Sequence, residues 1–219
     1  MHQTVENLIQ IEKLVKSKEI NLNLQKSPTI IAVSKTFKLD QIFPLIEYGH
    51  SDFGENKVQE AIDKWSIIKE QKTNIKLHLI GKLQTNKVKF AVKIFDFIHS
   101  IDSKKLAKKV ADEQFKQNKK IKVFLQVNLG NENQKSGISK EDLKDLYLYC
   151  QEIELDVIGL MCIPPLQLDP VIFFKELKIL GDSLKISELS MGMSSDYLKA
   201  VENFSTFLRI GSNIFGKRN

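Results

Sequence analysis

The feature that most restricts the fold of this sequence is an alternation, repeated eight times, of a short apolar, β-branched or aromatic run with a longer stretch of helical spacing. Such an order is what βα units around a parallel sheet require. The eight runs are Thr29 to Ser34, Asp52 to Gly54, Lys76 to Ile80, Phe97 to Ser100, Lys122 to Asn128, Leu155 to Met161, Glu188 to Met191 and Phe207 to Ile210. Several are nearly continuous apolar segments, as strands covered on both faces should be.

The stretches between them carry helical stripes. Leu143, Leu146, Tyr147 and Cys150 fall at i, i+3, i+4 and i+7, with Ser139 and Asp142 as the expected N-terminal cap. Phe173, Phe174, Leu177 and Leu180 repeat the pattern, as do Leu106, Ala107, Val110 and Ala111. An additional helix with Val5, Leu8, Ile9 and Val15 on one side precedes the first strand. Eight units in 219 residues average about 27 residues each, close to the lower size limit of a closed (β/α)8 barrel. A single α/β domain over residues 1–219, a TIM-type barrel with an extra N-terminal helix, is therefore expected. The rival doubly wound sheet would usually carry an early GxGxxG turn, which the sequence lacks.

Composition narrows the function classes. With 42% hydrophobic and 27% charged residues the chain resembles an ordinary globular domain. Cys150 and Cys162 are too few for a disulfide framework and form no CxxC pair, which points to a reducing, cytoplasmic setting. No apolar run approaches the roughly 18 residues of a membrane span, and the N-terminus has no leader pattern, so neither a membrane partner nor export is expected. The net charge of +6 admits an acidic ligand. Its densest lysine cluster, from Lys104 to Lys122, is broken by Asp112 and Glu113 and lacks interleaved aromatics for base stacking. A solvated helix face is the reading, with no nucleic-acid partner; a basic interaction module is its rival.

In a barrel the active site gathers where the strands end. The first strand delivers Lys35 to that mouth, where partial desolvation favours the free amine. The next three end in Phe53-Gly54-Glu55-Asn56, His78-Leu79-Ile80-Gly81 and His99-Ser100, each expected to set a hydrogen-bonding side chain on the same rim. Loops seven and eight, where barrels often bind phosphate, read Met191-Gly192-Met193-Ser194-Ser195 and Gly211-Ser212-Asn213-Ile214-Phe215-Gly216. Arginine occurs only at Arg209 and Arg218, and Arg209, inside the eighth strand, is either paired to a carboxylate or aimed at a ligand.

A phosphate site and a rim lysine suggest a phosphorylated aldehyde. Ile31-Ala32-Val33-Ser34-Lys35-Thr36, Phe53-Gly54-Glu55-Asn56, His78 through Lys87, Lys135-Ser136-Gly137, Leu160-Met161, Ser190 through Ser194, and Arg209-Ile210-Gly211 with Ile214-Phe215-Gly216 together resemble the pyridoxal phosphate (PLP) homeostasis proteins. That family is related to the N-terminal, fold-type III PLP barrel of alanine racemase. The resemblance implies that Lys35 forms the internal aldimine with PLP, that Ser194 and the backbone of Gly211 and Ser212 hold the phosphate, that Asn56 lines the ring, and that Arg209 faces the pyridine nitrogen. Two departures stand out: Cys162 where a small residue such as alanine is familiar, and Phe204 where a glycine often precedes the Ser-Thr pair.

An arginine beside the pyridine nitrogen disfavours a second proton there and makes the ring a poor electron sink. Alanine racemase adds a second base from a C-terminal β-domain, and this sequence ends shortly after the eighth strand. The expectation is a PLP carrier and buffer without efficient turnover, a monomer, with amino acids as external aldimines and PLP-dependent apo-enzymes as partners. A slow amino-acid racemase or Schiff-base aldolase is the enzymatic alternative.

Overall fold

A computed structural model describes residues 1–130 and 136–217. The chain begins with α1 (Gln3–Leu22), and then alternates: β1 (Thr29–Val33), α2 (Leu39–Tyr48), β2 (Asp52–Glu55), α3 (Val58–Gln71), β3 (Lys76–Leu79), a short turn of helix (Thr85–Lys87), α4 (Val88–Ile94), β4 (Phe97–Ile101), α5 (Lys104–Lys116) and β5 (Lys122–Gln126). The second half contributes α6 (Leu143–Glu152), β6 (Val157–Met161), α7 (Pro170–Ser183), β7 (Glu188–Met193), α8 (Tyr197–Glu202), β8 (Phe207–Ile210) and α9 (Ser212–Phe215). All eight strands pair in parallel in sequence order, and β1 closes on β8 with Ile31 opposite Arg209 and Ala32 opposite Ile210. The (β/α)8 barrel and its leading helix are as the alternation predicts.

Alternate residues of each strand face opposite sides, which divides the core in two. Outside the sheet, Leu8, Trp65, Val110, Leu146 and Leu177 pack helices onto the barrel. Inside it, Ile31, Phe97, Phe124, Met161 and Phe207 form a separate apolar cluster. That inner set fixes which residues climb toward the mouth. From Ile31 the period of two leads through Val33 to Lys35, and from Phe207 through Arg209 to Gly211.

Several expected boundaries shift for local reasons. β6 begins at Val157 rather than Leu155, because Glu154 adopts a positive φ of 53° and the Val157 N–H turns back to the Leu155 carbonyl. β5 ends at Gln126; beyond it the Val127 N–H still donates to the Met161 carbonyl at 2.8 Å, and Val127 makes an isolated bridge to Ile138. The cap expected of Ser139 and Asp142 sits one turn early. Ser139 Oγ receives the Asp142 N–H at 3.1 Å and donates to its carboxylate at 2.7 Å, and α6 then starts at Leu143 with no side-chain cap on Asp142. Along α5, Lys104, Lys105, Lys108 and Lys109 are exposed, with Lys104 paired to Asp145 and Lys108 to Asp112, both at 2.6 Å. That is a solvated face.

Phe204 has a physical account as well. Its φ is 66°, in the left-handed region that favours glycine, and its ring is exposed, with Lys178 Nζ 5.5 Å from the centroid. Among the described residues, no helix is long and apolar enough to cross a membrane.

Candidate functional site

The C-terminal ends of the strands open into a cavity of about 640 Å³. Lys35, Asn56, Ser194, Arg209, Gly211 and Ser212 all line it. So do Ser136, from the motif Lys135-Ser136-Gly137, and Gln126 and Asn128, to which the sequence analysis gave no role. The titratable side chains among the described lining residues are Lys35, Lys82 and Arg209, all of them basic and none acidic. An anionic ligand is what such a wall attracts.

The backbone around Lys35 is fixed from behind. Because Lys35 faces the cavity, its neighbour Ser34 faces the helical layer, where Ser34 Oγ donates to Glu55 Oε1 at 2.7 Å. The same oxygen accepts from Trp65 Nε1 at 3.0 Å and from Lys64 Nζ at 3.0 Å. Lys64 donates further to the Ser34 carbonyl at 2.9 Å and to Glu60 at 3.1 Å. Glu60 in turn accepts the Thr36 N–H at 2.5 Å. Burial works to raise the Glu60 carboxyl, but the Thr36 N–H and Lys64 outweigh it and leave the group below its ordinary range. Thr36 itself has a φ of 69°, an uncommon conformation for a β-branched residue. Strain of this kind persists only where surrounding contacts hold it, and here the holding contacts flank Lys35.

Loops seven and eight are tied through Ser194. Its Oγ accepts the N–H groups of Gly211 at 3.2 Å and Asn213 at 3.4 Å, and its carbonyl accepts from Asn213 Nδ2 at 2.9 Å. The amides that converge on Ser194 are therefore those of Gly211 and Asn213; Ser212 contributes an exposed position on the cavity wall. Glycine is required at Gly192, where φ is 91° and a Cβ would lie 2.5 Å from the Ala200 Cβ. Gly211 has an ordinary φ of −116°, and a Cβ there would make only a close van der Waals contact, 3.4 Å from Val33.

Arg209 is 4% exposed. Its Nη1 donates to Ser190 Oγ at 2.7 Å and its Nη2 to the Cys162 carbonyl at 2.9 Å, and it forms no salt bridge among the described residues. The carboxylate-paired reading is thus replaced by a buried cation held by neutral acceptors. Cys162 is buried packing whose thiol is pushed up to about 12 by burial.

His78 and His99 are not rim residues. Both are fully buried inside the barrel, stacked on Phe97 at 4.3 Å and on Phe124 at 4.2 Å, respectively. Strand period places them there: each occupies an inward position below the mouth. Burial lowers the pKa of His78 and takes that of His99 well below the usual histidine value, where a proton on His78 and the nearby Arg209 guanidinium would oppose protonation further.

Gln126 and Asn128 were legible only as polar residues two apart where an apolar strand ends. Gln126 Nε2 donates to the Ser136 carbonyl at 2.9 Å. Gly137, with φ of 128°, lies so close that a Cβ would meet the Asn128 nitrogen at 2.8 Å. Lys135, part of the motif Lys135-Ser136-Gly137, lies outside the described residues.

Comparison with known proteins agrees with this fold. Residues 16–219 match the family model of the alanine racemase N-terminal domain. The pyridoxal phosphate homeostasis protein of Aquifex aeolicus is 36% identical over 218 residues, covering 95% of both chains. PipY of Synechococcus elongatus, solved with PLP bound, superposes with a TM-score of 0.81 at 33% identity, covering 92% of this chain and 100% of its own. Alanine racemase of Clostridium difficile shares the fold at a TM-score of 0.76 and 13% identity, with 99% of this chain matching 57% of it. On its sequence and its barrel, the chain belongs to the family of pyridoxal phosphate homeostasis proteins.

Proposed function

We propose that this chain binds PLP at the barrel mouth and carries it reversibly on Lys35, buffering the cofactor and supporting amino-acid and keto-acid balance. The observation that carries the reading is the donor set around one 640 Å³ cavity: the Lys35 amine, the Ser194 hydroxyl with neighbouring backbone amides, and a buried Arg209 without a carboxylate partner among the described residues. PLP supplies a phosphate dianion for such donors and an aldehyde that condenses with a primary amine, losing water. In this reading Lys35 supplies the amine, Ser194 and the amides at Gly211 and Ser212 face the phosphate, Asn56 borders the ring and Arg209 faces the ring nitrogen.

The purified protein should absorb in the visible, and borohydride should fix the cofactor on Lys35. Mass mapping that finds the reduced adduct on a different lysine would remove Lys35 from the role. Ser194→Ala should weaken PLP retention with the fold intact, since a hydrogen bond to a charged group contributes about 1.5–3 kcal/mol.

Carriage rather than turnover is favoured by the cavity wall. No Asp, Glu, His, Cys or Tyr lines it among the described residues, so Lys82, an exposed side chain, is the one base there besides Lys35. Moving a Cα proton from one face to the other needs two positioned groups. With L-alanine in deuterated water the loaded protein should therefore take up label slowly and make little D-alanine. Racemisation at rates of enzymes, roughly 1–1000 per second, would overturn the carrier reading.

A further inference from the structure

A continuous line of hydrogen bonds crosses the barrel interior from its base to the cavity floor. Asp52, the first residue of β2, meets His78 Nε2 through Oδ1 at 3.1 Å. His78 Nδ1 lies 3.0 Å from His99 Nε2. His99 Nδ1 lies 2.8 Å from Ser190 Oγ, and that oxygen receives Arg209 Nη1 at 2.7 Å. The Asp52 end borders a second cavity, of about 620 Å³, beneath α1.

The two ends decide the direction of every link. A guanidinium has only donors, and an ionised carboxylate has only acceptors. Ser51 also donates to the second oxygen of Asp52, at 2.6 Å, as suits the ionised form. Burial works to raise the Asp52 carboxyl, and the bonds from His78 and Ser51 outweigh it, so the group stays below its ordinary value. Between the ends stand one hydroxyl and two imidazoles, which in their neutral forms hold three protons for three remaining links. Ser190, already accepting from Arg209, gives its proton to His99 Nδ1. His99 then donates from Nε2 to His78 Nδ1, and His78 donates from Nε2 to Asp52. The opposite tautomers would set a lone pair of His78 against the Asp52 carboxylate.

We propose that Asp52, His78, His99 and Ser190 form a one-way hydrogen-bond chain that positions Arg209, fixing both imidazoles as Nε2–H tautomers and holding the guanidinium at the cavity floor as a donor. The chain and the Cys162 carbonyl grip two different nitrogens of Arg209, which sets the plane of the guanidinium. No member other than Arg209 lines the mouth cavity, so the four residues before Arg209 act through it. The role of the chain toward PLP rests on the function proposed above; its polarity does not.

The test is long-range ¹⁵N–¹H spectroscopy on protein free of PLP with labelled histidine, combined with PLP titrations of variants. At pH 7 both rings should show the pattern of a neutral Nε2–H imidazole. Asp52→Asn, whose amide oxygen still accepts from His78, should preserve the tautomers and the PLP affinity. Asp52→Ala should disturb the His99 nitrogens two links away and weaken PLP binding by about 5-fold or more, within the usual range of coupling between sites. An Nδ1–H tautomer or an imidazolium at either ring in the wild-type protein would overturn the chain's direction. Expected tautomers with unchanged PLP affinity in Asp52→Ala would overturn the positioning role. Should Asp52→Ala fail to fold, Ser190→Ala, which breaks the last link, serves in its place with the same outcomes. A wild-type chain that shows the tautomers but binds no PLP would instead overturn the reading of the mouth cavity and, with it, the positioning role, while the chain's direction would stand.

Discussion

Replacing Lys64 by methionine tests whether the cluster behind Lys35 is an energetic unit. Lys64 Nζ has three acceptors within 3.1 Å: the Ser34 carbonyl, Glu55 and Glu60. The Lys64 side chain is 10% exposed and that of Glu55 is fully buried. Methionine keeps most of the stem and removes the charge, leaving the Glu55 carboxylate with Ser34 and Trp65 as its donors. One oxygen of Glu55, Oε2, already has no hydrogen-bond partner. Breaking a buried pair costs about 3–5 kcal/mol, and the slight exposure of Lys64 argues for the lower end, about 3 kcal/mol. For a chain of this length that corresponds to a fall in Tm of about 6–12 °C. The assay is a double-mutant cycle with Glu55→Gln, read by urea and thermal unfolding. Neutralising Glu55 removes the stranded charge, so the double variant should be more stable than the sum of the single effects by about 2 kcal/mol, inside the range seen for contacting residues. Additive single effects, or a Lys64→Met cost below about 1 kcal/mol, would refute the claim that this cluster holds the backbone on either side of Lys35.

Gly81→Ala would place a Cβ 2.4 Å from the Asn56 carbonyl oxygen; it should cost about 1–3 kcal/mol by overpacking and weaken PLP retention, and a wild-type melting temperature with normal loading would show that this contact yields freely. Acidification from pH 7.5 to 5.5 should lower the urea midpoint. His50, His78 and His99 all have pKa values lowered first by burial. Unfolded, they take up protons near pH 6.5, so their contribution is complete above that pH and is lost as pH falls toward the folded values, by at most about 1.4 kcal/mol per residue and pH unit. An unchanged midpoint would show that the folded rings are protonated as readily as the unfolded ones. Cys150 and Cys162 are buried thiols pushed up to about 12 by burial; at pH 8 both should resist a disulfide reagent until denaturant is added, and fast labelling of the native protein would contradict that packing.

The barrel was legible because strand and helix periods leave different marks. Ile30 to Val33 and Phe207 to Ile210 read as buried strands, and counting forward from them led to Lys35, Arg209 and Gly211 at one mouth. Loop positions were read less well. Ser194 lines the cavity as its place after the seventh strand suggests, but that its Oγ ties the two loops together through the amides of Gly211 and Asn213 depends on a backbone path that periodicity does not carry. His78 and His99 were misplaced at the rim because a strand's residues were read in order without deciding how deep each layer lies. Lys64 and Glu60 gave no signal at all, since one more lysine and one more glutamate on a helix look solvated until the sheet behind them is in place.

The interior composition explains why a polar chain is tolerated in so small a barrel. Barrel interiors are usually filled by layers of branched aliphatic side chains. Here Phe97, Phe124 and Phe207 fill the lower interior, and glycine makes room for them: a Cβ at Gly159 would lie 2.4 Å from the Phe124 ring. The two imidazoles lie flat on two of these rings, with interplanar angles of 10° and 18°. Flat stacking leaves the ring edges, where the nitrogens are, directed along the chain toward Asp52, each other and Ser190. The aromatic faces exclude water from the sides, and a hydrogen bond so shielded is electrostatically stronger than one in water. An unfilled link in that setting would cost correspondingly more, so each break in the sequence of partners lowers the stability of the fold. Arg209 gains from this without being neutralised: its support from behind comes from a hydroxyl and a carbonyl, and its countercharge in the line, Asp52, stands three side chains away at the opposite end. A guanidinium held in that way keeps its charge directed at whatever anion enters the mouth.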